Sequence, residues 1–150
     1  MVATLHDSIL NFQQYTLDES SNYTISSTSF TNVDGTHLAL SITPGNKALT
    51  GQALIGWHGN VVVPGGQRGF FSLLVNGTLN PGNDGIIFAD PGASTGTLQV
   101  GFTRLVTGLN VGTLNTLSLQ AKVTGGTMTV FAGAGTSNAD VHGQLFGVIL

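Results

Sequence analysis

The sequence contains no cysteine, which excludes a disulfide framework, a thiolate nucleophile and any cysteine-ligated zinc site. Charge is almost as scarce, with 7% of residues ionic against about 25% in ordinary soluble domains. The four basic residues, Lys47, Arg68, Arg104 and Lys122, are scattered, and the formal net charge is −3. There is thus no electrostatic footprint for nucleic acid. No apolar run approaches the ~18 residues of a spanning helix, so membrane insertion is not expected. The opening residues, Met-Val-Ala-Thr-Leu-His-Asp, lack a basic region followed by an apolar one, and no secretory signal is expected. Helix signals are sparse too. Only residues 5–15 suit a helical turn or two, with Ile9, Leu10 and Phe12 apolar and Asp7 near the start.

What the chain does have is length for one domain, apolar content and glycine. Its 150 residues suffice for a core without covalent staples. A hydrophobic fraction of 41% is too high for a disordered chain. The polar surface is therefore built from Thr, Ser, Asn, Gln and Gly, a neutral surface that suits copies packed against neighbours. The 22 glycines fall at short intervals, as strands joined by tight turns require.

Between the glycines the apolar residues alternate with period two. Leu38, Leu40 and Ile42 share one face, as do Phe71, Leu73 and Val75 just before Asn76-Gly77. Leu98, Val100 and Phe102 follow, and then Leu117, Leu119, Ala121 and Val123 alternate with Thr116, Ser118, Gln120 and Lys122. Two segments, Val61-Val62-Val63 and Leu145-Phe146-Gly147-Val148-Ile149-Leu150, are apolar on both faces. A strand of that kind is covered on both sides, which points to an oligomer. Asn76-Gly77, Asn83-Asp84-Gly85, Pro91-Gly92 and Gly125-Gly126 supply turns that need positive φ. Eight to ten short strands of this pattern predict an all-β antiparallel sandwich or barrel. It occupies residues 23–150, preceded by an N-terminal arm, residues 1–22, that docks through Ile9, Leu10 and Phe12.

The stretch Thr28-Ser29-Phe30-Thr31-Asn32-Val33-Asp34-Gly35-Thr36-His37-Leu38-Ala39-Leu40 resembles the opening of tumour-necrosis-factor-like jelly rolls of phage and bacterial structural proteins. Val106-Thr107-Gly108-Leu109-Asn110-Val111-Gly112-Thr113, Leu117-Ser118-Leu119-Gln120 and Gly125-Gly126-Thr127 resemble the paired later strands of that family. The pattern departs at Leu114-Asn115, where family members often carry His-Thr. The resemblance implies a jelly-roll homotrimer with one sheet of each copy, and its aromatic residues, facing the threefold axis. It also implies a non-enzymatic virion protein at the particle surface: a capsid decoration, fibre head or minor tail component with other capsid or tail proteins as partners. Fold-level likeness of this kind carries function only by analogy.

Phe70, Phe131, Phe146, Val148 and Leu150 are the candidate trimer-interface residues, Phe70 because it shares a strand face with Ser72 and Leu74 and not with Phe71. Trp57, the single tryptophan, is the candidate ligand-binding residue. With Tyr15 or Tyr23 and the polar loops of residues 80–96 it would form a platform for a host surface glycan, the alternative being a tryptophan that covers the sandwich end or a subunit seam. His6, His37, His58 and His142 are too far apart in sequence to make a metal signature. The loop Asn80-Pro81-Gly82-Asn83-Asp84-Gly85 reads as a turn more readily than as a Ca²⁺ loop. No Gly-x-Ser-x-Gly elbow occurs, the spacing in Gly92-Ala93-Ser94-Thr95-Gly96 being wrong for one. No catalytic residue and no cofactor is therefore expected.

Overall fold

A computed structural model describes residues 21–45, 51–133 and 143–150, together with the backbone of 12–16. Its strands are β1 (Phe12–Thr16), β2 (Tyr23–Ile25), β3 (Thr31–Asn32), β4 (Ala39–Ile42), β5 (Ala53–Val63), β6 (Gly69–Val75), β7 (Thr78–Asn80), β8 (Ile87–Ala89), β9 (Gly96–Val106), β10 (Asn115–Val123), β11 (Met128–Val130) and β12 (Gln144–Ile149). The described residues are all-β, and they form two antiparallel sheets of six strands each.

The first sheet is organised by β5. One edge of β5 pairs along its whole length with β9, from Ala53 opposite Val106 to Val63 opposite Gly96. The other edge is shared: Ala53 to His58 pair with β12, and Val61 and Val62 pair with β11. Beyond these, β1 lies against β12 and β2 against β11. In the second sheet, β10 pairs with β6 on one edge and shares the other between β3 and β4. The far edge of β6 is likewise shared between β7 and β8.

The two-residue alternation becomes the core directly. Leu38, Leu40, Ile42, Phe71, Leu73, Leu117, Leu119, Ala121 and Val123 are buried, facing Ile55, Val61, Val63, Met128 and Leu145 of the first sheet. Each buried side chain of this size contributes about 1.5–3 kcal/mol by leaving water. Trp57, fully buried, crosses the layer boundary and stacks on Phe71 at 4.7 Å between ring centroids. Turn chemistry follows the sequence. Asn76 and Gly77 have φ of 48° and 82°, the paired positive values of a two-residue hairpin turn joining β6 to β7.

The helical expectation for residues 5–15 is corrected over its described part, where residues 12–15 belong to β1. Five residues cannot show whether their apolar period is 3.6 or two. Pairing with a strand 130 residues away, Phe12 opposite Val148 and Thr16 opposite Gln144, decides the conformation instead. Ile9 and Leu10 lie outside the described residues.

Candidate functional site

The outward face of the first sheet is uncharged across its three long strands. Outward positions run from Leu54 to Val62 on β5, from Thr97 to Leu105 on β9 and from Gln144 to Val148 on β12, and they include no Asp, Glu, Lys or Arg. His58, within 3.2 Å of the Gln144 side-chain oxygen, is the one titratable group there. Register places Val148 opposite Leu54 and Leu54 opposite Leu105, an apolar row across the sheet that β1 reaches at Phe12. In the next row Phe146 stands opposite Gly56. A Cβ at position 56 would run into the Phe146 ring, so the glycine is what lets the ring lie flat on the sheet.

This row ends at an apolar tip. Leu109 N donates to Gly51 O at 2.9 Å, Gly112 N to Pro44 O at 2.7 Å and Leu150 N to Gln52 O at 3.0 Å. Those bonds gather the loop of residues 107–114 and the last strand where β5 begins. Among the described residues, four of the five exposed large hydrophobic side chains, Leu105, Val111, Leu114 and Leu150, belong to this tip.

The fifth, Phe88, is on the outward face of the second sheet. There Phe70 stands opposite Phe88 on one side and Lys122 on the other. The Phe70 and Phe88 rings lie 6.0 Å apart. Lys122 Nζ lies 4.5 Å from the Phe30 centroid and 5.3 Å from that of Phe70, and the Arg68 guanidinium lies 5.6 Å from that of Phe88. Arg68 Nε donates to Asp90 Oδ2 at 2.8 Å. That bond, followed by the Gly92 backbone N–H, holds the Asp90 carboxyl below its ordinary pKa. The loops of residues 64–68 and 90–95 are tied by Gly66 N to Gly92 O at 2.7 Å and Gly65 N to Thr95 Oγ1 at 3.0 Å. They enclose an open groove of about 380 Å³ lined by Gly66, Arg68, Asp90, Gly92, Ala93 and Thr124.

The structure therefore separates the expected interface residues. Phe146 and Val148 share the uncharged face and Leu150 follows them at the tip, whereas Phe70 faces outward on the opposite sheet. Phe131 is corrected: it is 8% exposed, and its N–H donates to Asn60 O. Trp57 is corrected as well. Its ring has no exposed surface, so neither a sugar nor a neighbouring subunit reaches it. Its position on β5, opposite Phe102 of β9 and Leu145 of β12, makes it the largest piece of the core. His6 and His142 fall outside the described residues. Among the described residues, no three His, Asp or Glu side chains converge.

Two polar knots were not singled out by sequence. The Asp34 carboxylate accepts from Tyr23 OH, from the backbone N–H groups of Thr36 (2.7 Å) and His37 (2.9 Å), and lies 2.9 Å from His37 Nδ1. Partial burial pushes its pKa up. The bonds from Tyr23, the two backbone amides and the His37 ring outweigh that and hold it down at about 2. Tyr23 belongs to the first sheet and Asp34 to the loop after β3 of the second, so the knot laces the layers together. Fully buried Asn115 does comparable work at the tip. It accepts from Asn76 Nδ2 and Asn110 N, and donates to the carbonyls of Asn110 and Thr113, all within 3.0 Å.

No family model matches this chain, and no curated protein matches it. Among solved structures it is similar to a pentameric capsid protein isolated from metagenomic phage sequences. The TM-score is 0.30 at 15% identity, over 99% of this chain and 71% of that one. A second structure of a pentameric capsid protein from metagenomic phage sequences gives 0.30 and 15%, over 98% and 68%.

Proposed function

We propose that this chain is a non-enzymatic structural protein of a phage virion, a tumour-necrosis-factor-like jelly roll that assembles as a homotrimer through the outward face of its first sheet. The carrying observation is that face itself: the outward positions of three long strands hold not a single Asp, Glu, Lys or Arg, and they are crossed by the row Val148, Leu54, Leu105 and flanked by Phe146. Two copies of such a surface meet without like-charge repulsion and without stranding an ion, the chief cost of burying a protein face. The strand orders support the jelly-roll reading. They run β1-β12-β5-β9 in one sheet and β4-β10-β6-β8 in the other, with the chain crossing repeatedly between them. The virion assignment rests on the resemblance carried by residues 28–40 and 106–127. Docking on the particle is assigned to the segment ahead of β1, because residues 12–16 are engaged in the sheet.

Sedimentation equilibrium at micromolar concentration tests the assembly. A trimer is expected for the wild type, and Val148→Asp or Leu54→Asp is expected to give folded monomer. A monomeric wild type, or a trimer indifferent to both substitutions, refutes the face; any other copy number refutes the trimer. Removal of residues 1–11 is expected to leave the trimer intact and abolish incorporation into particles, and unchanged incorporation refutes the docking segment.

A further inference from the structure

We infer that the groove beside Phe88 is a binding site for a neutral pyranose sugar, a function that goes beyond assembly and does not depend on it. Three features make the site. Phe88 is 55% exposed, although it stands in a sheet whose inward positions are buried. Phe88 adjoins the groove through Arg68, whose guanidinium lies over the ring 5.6 Å from its centroid, and the ring surface left open to water suits the C–H face of a sugar ring, which is apolar on that face and hydroxylated around its rim.

The second feature is the Arg68–Asp90 pair next to the platform. Arg68 spends its Nε on Asp90, which fixes the guanidinium plane, and its two terminal amino groups have no bond to another described side chain. Asp90 takes one bond on each oxygen, from Arg68 Nε and Gly92 N, and each oxygen retains a second lone-pair site. A fixed donor fork beside a fixed acceptor suits vicinal hydroxyls, one accepting from the guanidinium and its neighbour donating to the carboxylate. The charges of Arg68 and Asp90 offset each other. That balance favours an uncharged polyol over a phosphate or a carboxylate.

Rigidity is the third. A Cβ at Gly65 would strike Ala93 O, so the two groove loops approach more closely than any other residue permits. They are locked by the Gly66–Gly92 and Gly65–Thr95 bonds, and Arg68 N is held by Thr124 Oγ1 at 2.9 Å. A site of about 380 Å³ falls within the roughly 300–1,000 Å³ of small-molecule pockets. Its polar groups are set before the ligand arrives, which reduces the ordering cost of binding.

Saturation-transfer NMR on the full chain with millimolar methyl glycosides of glucose, galactose, mannose, rhamnose and N-acetylglucosamine tests the site. At least one probe is expected to give signal from its ring C–H protons. That signal is expected to fall at least tenfold in Phe88→Ser and in Asp90→Asn, and to persist in Leu114→Ser, which alters an exposed residue at the opposite end. No signal from any probe overturns the site. So does a signal that survives both groove variants or disappears equally in Leu114→Ser. If Phe88→Ser lowers the mass of the assembly while the wild type gives no signal, a neighbouring copy covers this face and the inference is wrong. The sugar signal reads the second sheet, and the Val148→Asp mass reads the first, so either result fails without the other.

Discussion

Asparagine at position 34 should remove a specific piece of the pH dependence of this fold. The Asp34 carboxylate is 12% exposed and holds its pKa at about 2 against an ordinary 3.8. At about 1.4 kcal/mol per pH unit, that gap is worth about 2 kcal/mol of folding free energy. The folded value is the lower one. The contribution is therefore fully present above about pH 4, where both states are ionised, and it drains away as the pH falls toward 2. Urea unfolding followed by Trp57 fluorescence, at one fixed protein concentration, should show the wild type losing about 2 kcal/mol more than Asp34→Asn between pH 6 and pH 2.5. At pH 6 the variant should be the weaker protein by about that amount, since its amide repeats the acceptor role but meets Tyr23 without charge. Tyr23→Phe should give part of the same loss, because it deletes the largest of the bonds that lower the pKa. Parallel pH profiles for wild type and Asp34→Asn would refute the claim that this knot stabilises the fold through its charge.

Substitutions at three further positions have definite expectations. Trp57→Ala should cost about 3–5 kcal/mol, whereas Trp57→Phe should stay within about 1 kcal/mol. Losing two ring carbons (~1.6 kcal/mol) is offset by removing an indole N–H that has no partner among the described residues. Far-UV circular dichroism in urea reads both, and equal losses would mean that the N–H is satisfied. Asn115→Ala should cost about 2–4 kcal/mol, and Asn115→Asp nearly as much, because a carboxylate cannot donate to the Asn110 and Thr113 carbonyls. An Asp variant as stable as wild type in thermal melts would dismiss that network. Gly56→Ala should destabilise by about 1–3 kcal/mol through overpacking against Phe146. In a Phe146→Ala background that cost should vanish, and a double-mutant cycle with no coupling would show the ring lies elsewhere.

The second sheet was readable in advance because its strands are local and one-sided. Leu117 to Val123 alternates cleanly, and Asn76-Gly77 fixes where β6 turns. The core of β5 was harder. Trp57 between Gly56 and His58 has the sequence context of an exposed aromatic, yet the glycines at 56 and 59 are there because rings lie against them. The Cβ of a residue at 59 would approach Trp57 Cζ2 to 2.8 Å. β1 was missed because five residues do not define a period, and its partner is the strand most distant in sequence. The Arg68–Asp90 groove leaves only a faint trace: Ile86-Ile87-Phe88-Ala89 reads as an uninterrupted apolar run. Alternation alone cannot say that Ala89 points in and Phe88 out, because that depends on pairing with Gly69 and Phe70. Of the interface expectations, those on β12 fell on one face because the strand itself imposes it. Phe131 failed because it follows β11 into a loop where alternation no longer applies.

The central position of β12, with β1 on one edge and β5 on the other, dictates an order of events during folding. Residues 53–58 have their β9 partners within 55 residues along the chain, so that long ribbon can close early. Their other edge stays open until residues 144–149 arrive, and among the described residues β1 has no other ladder partner. Contacts spanning this much sequence must absorb a large loop entropy before they return any stability. The chain should therefore fold on the millisecond-to-second scale typical of non-local β topologies. It should also pass through a state in which the β5 edge and its inward apolar side chains are uncovered, the window in which such a protein is most open to mispairing with another copy of itself.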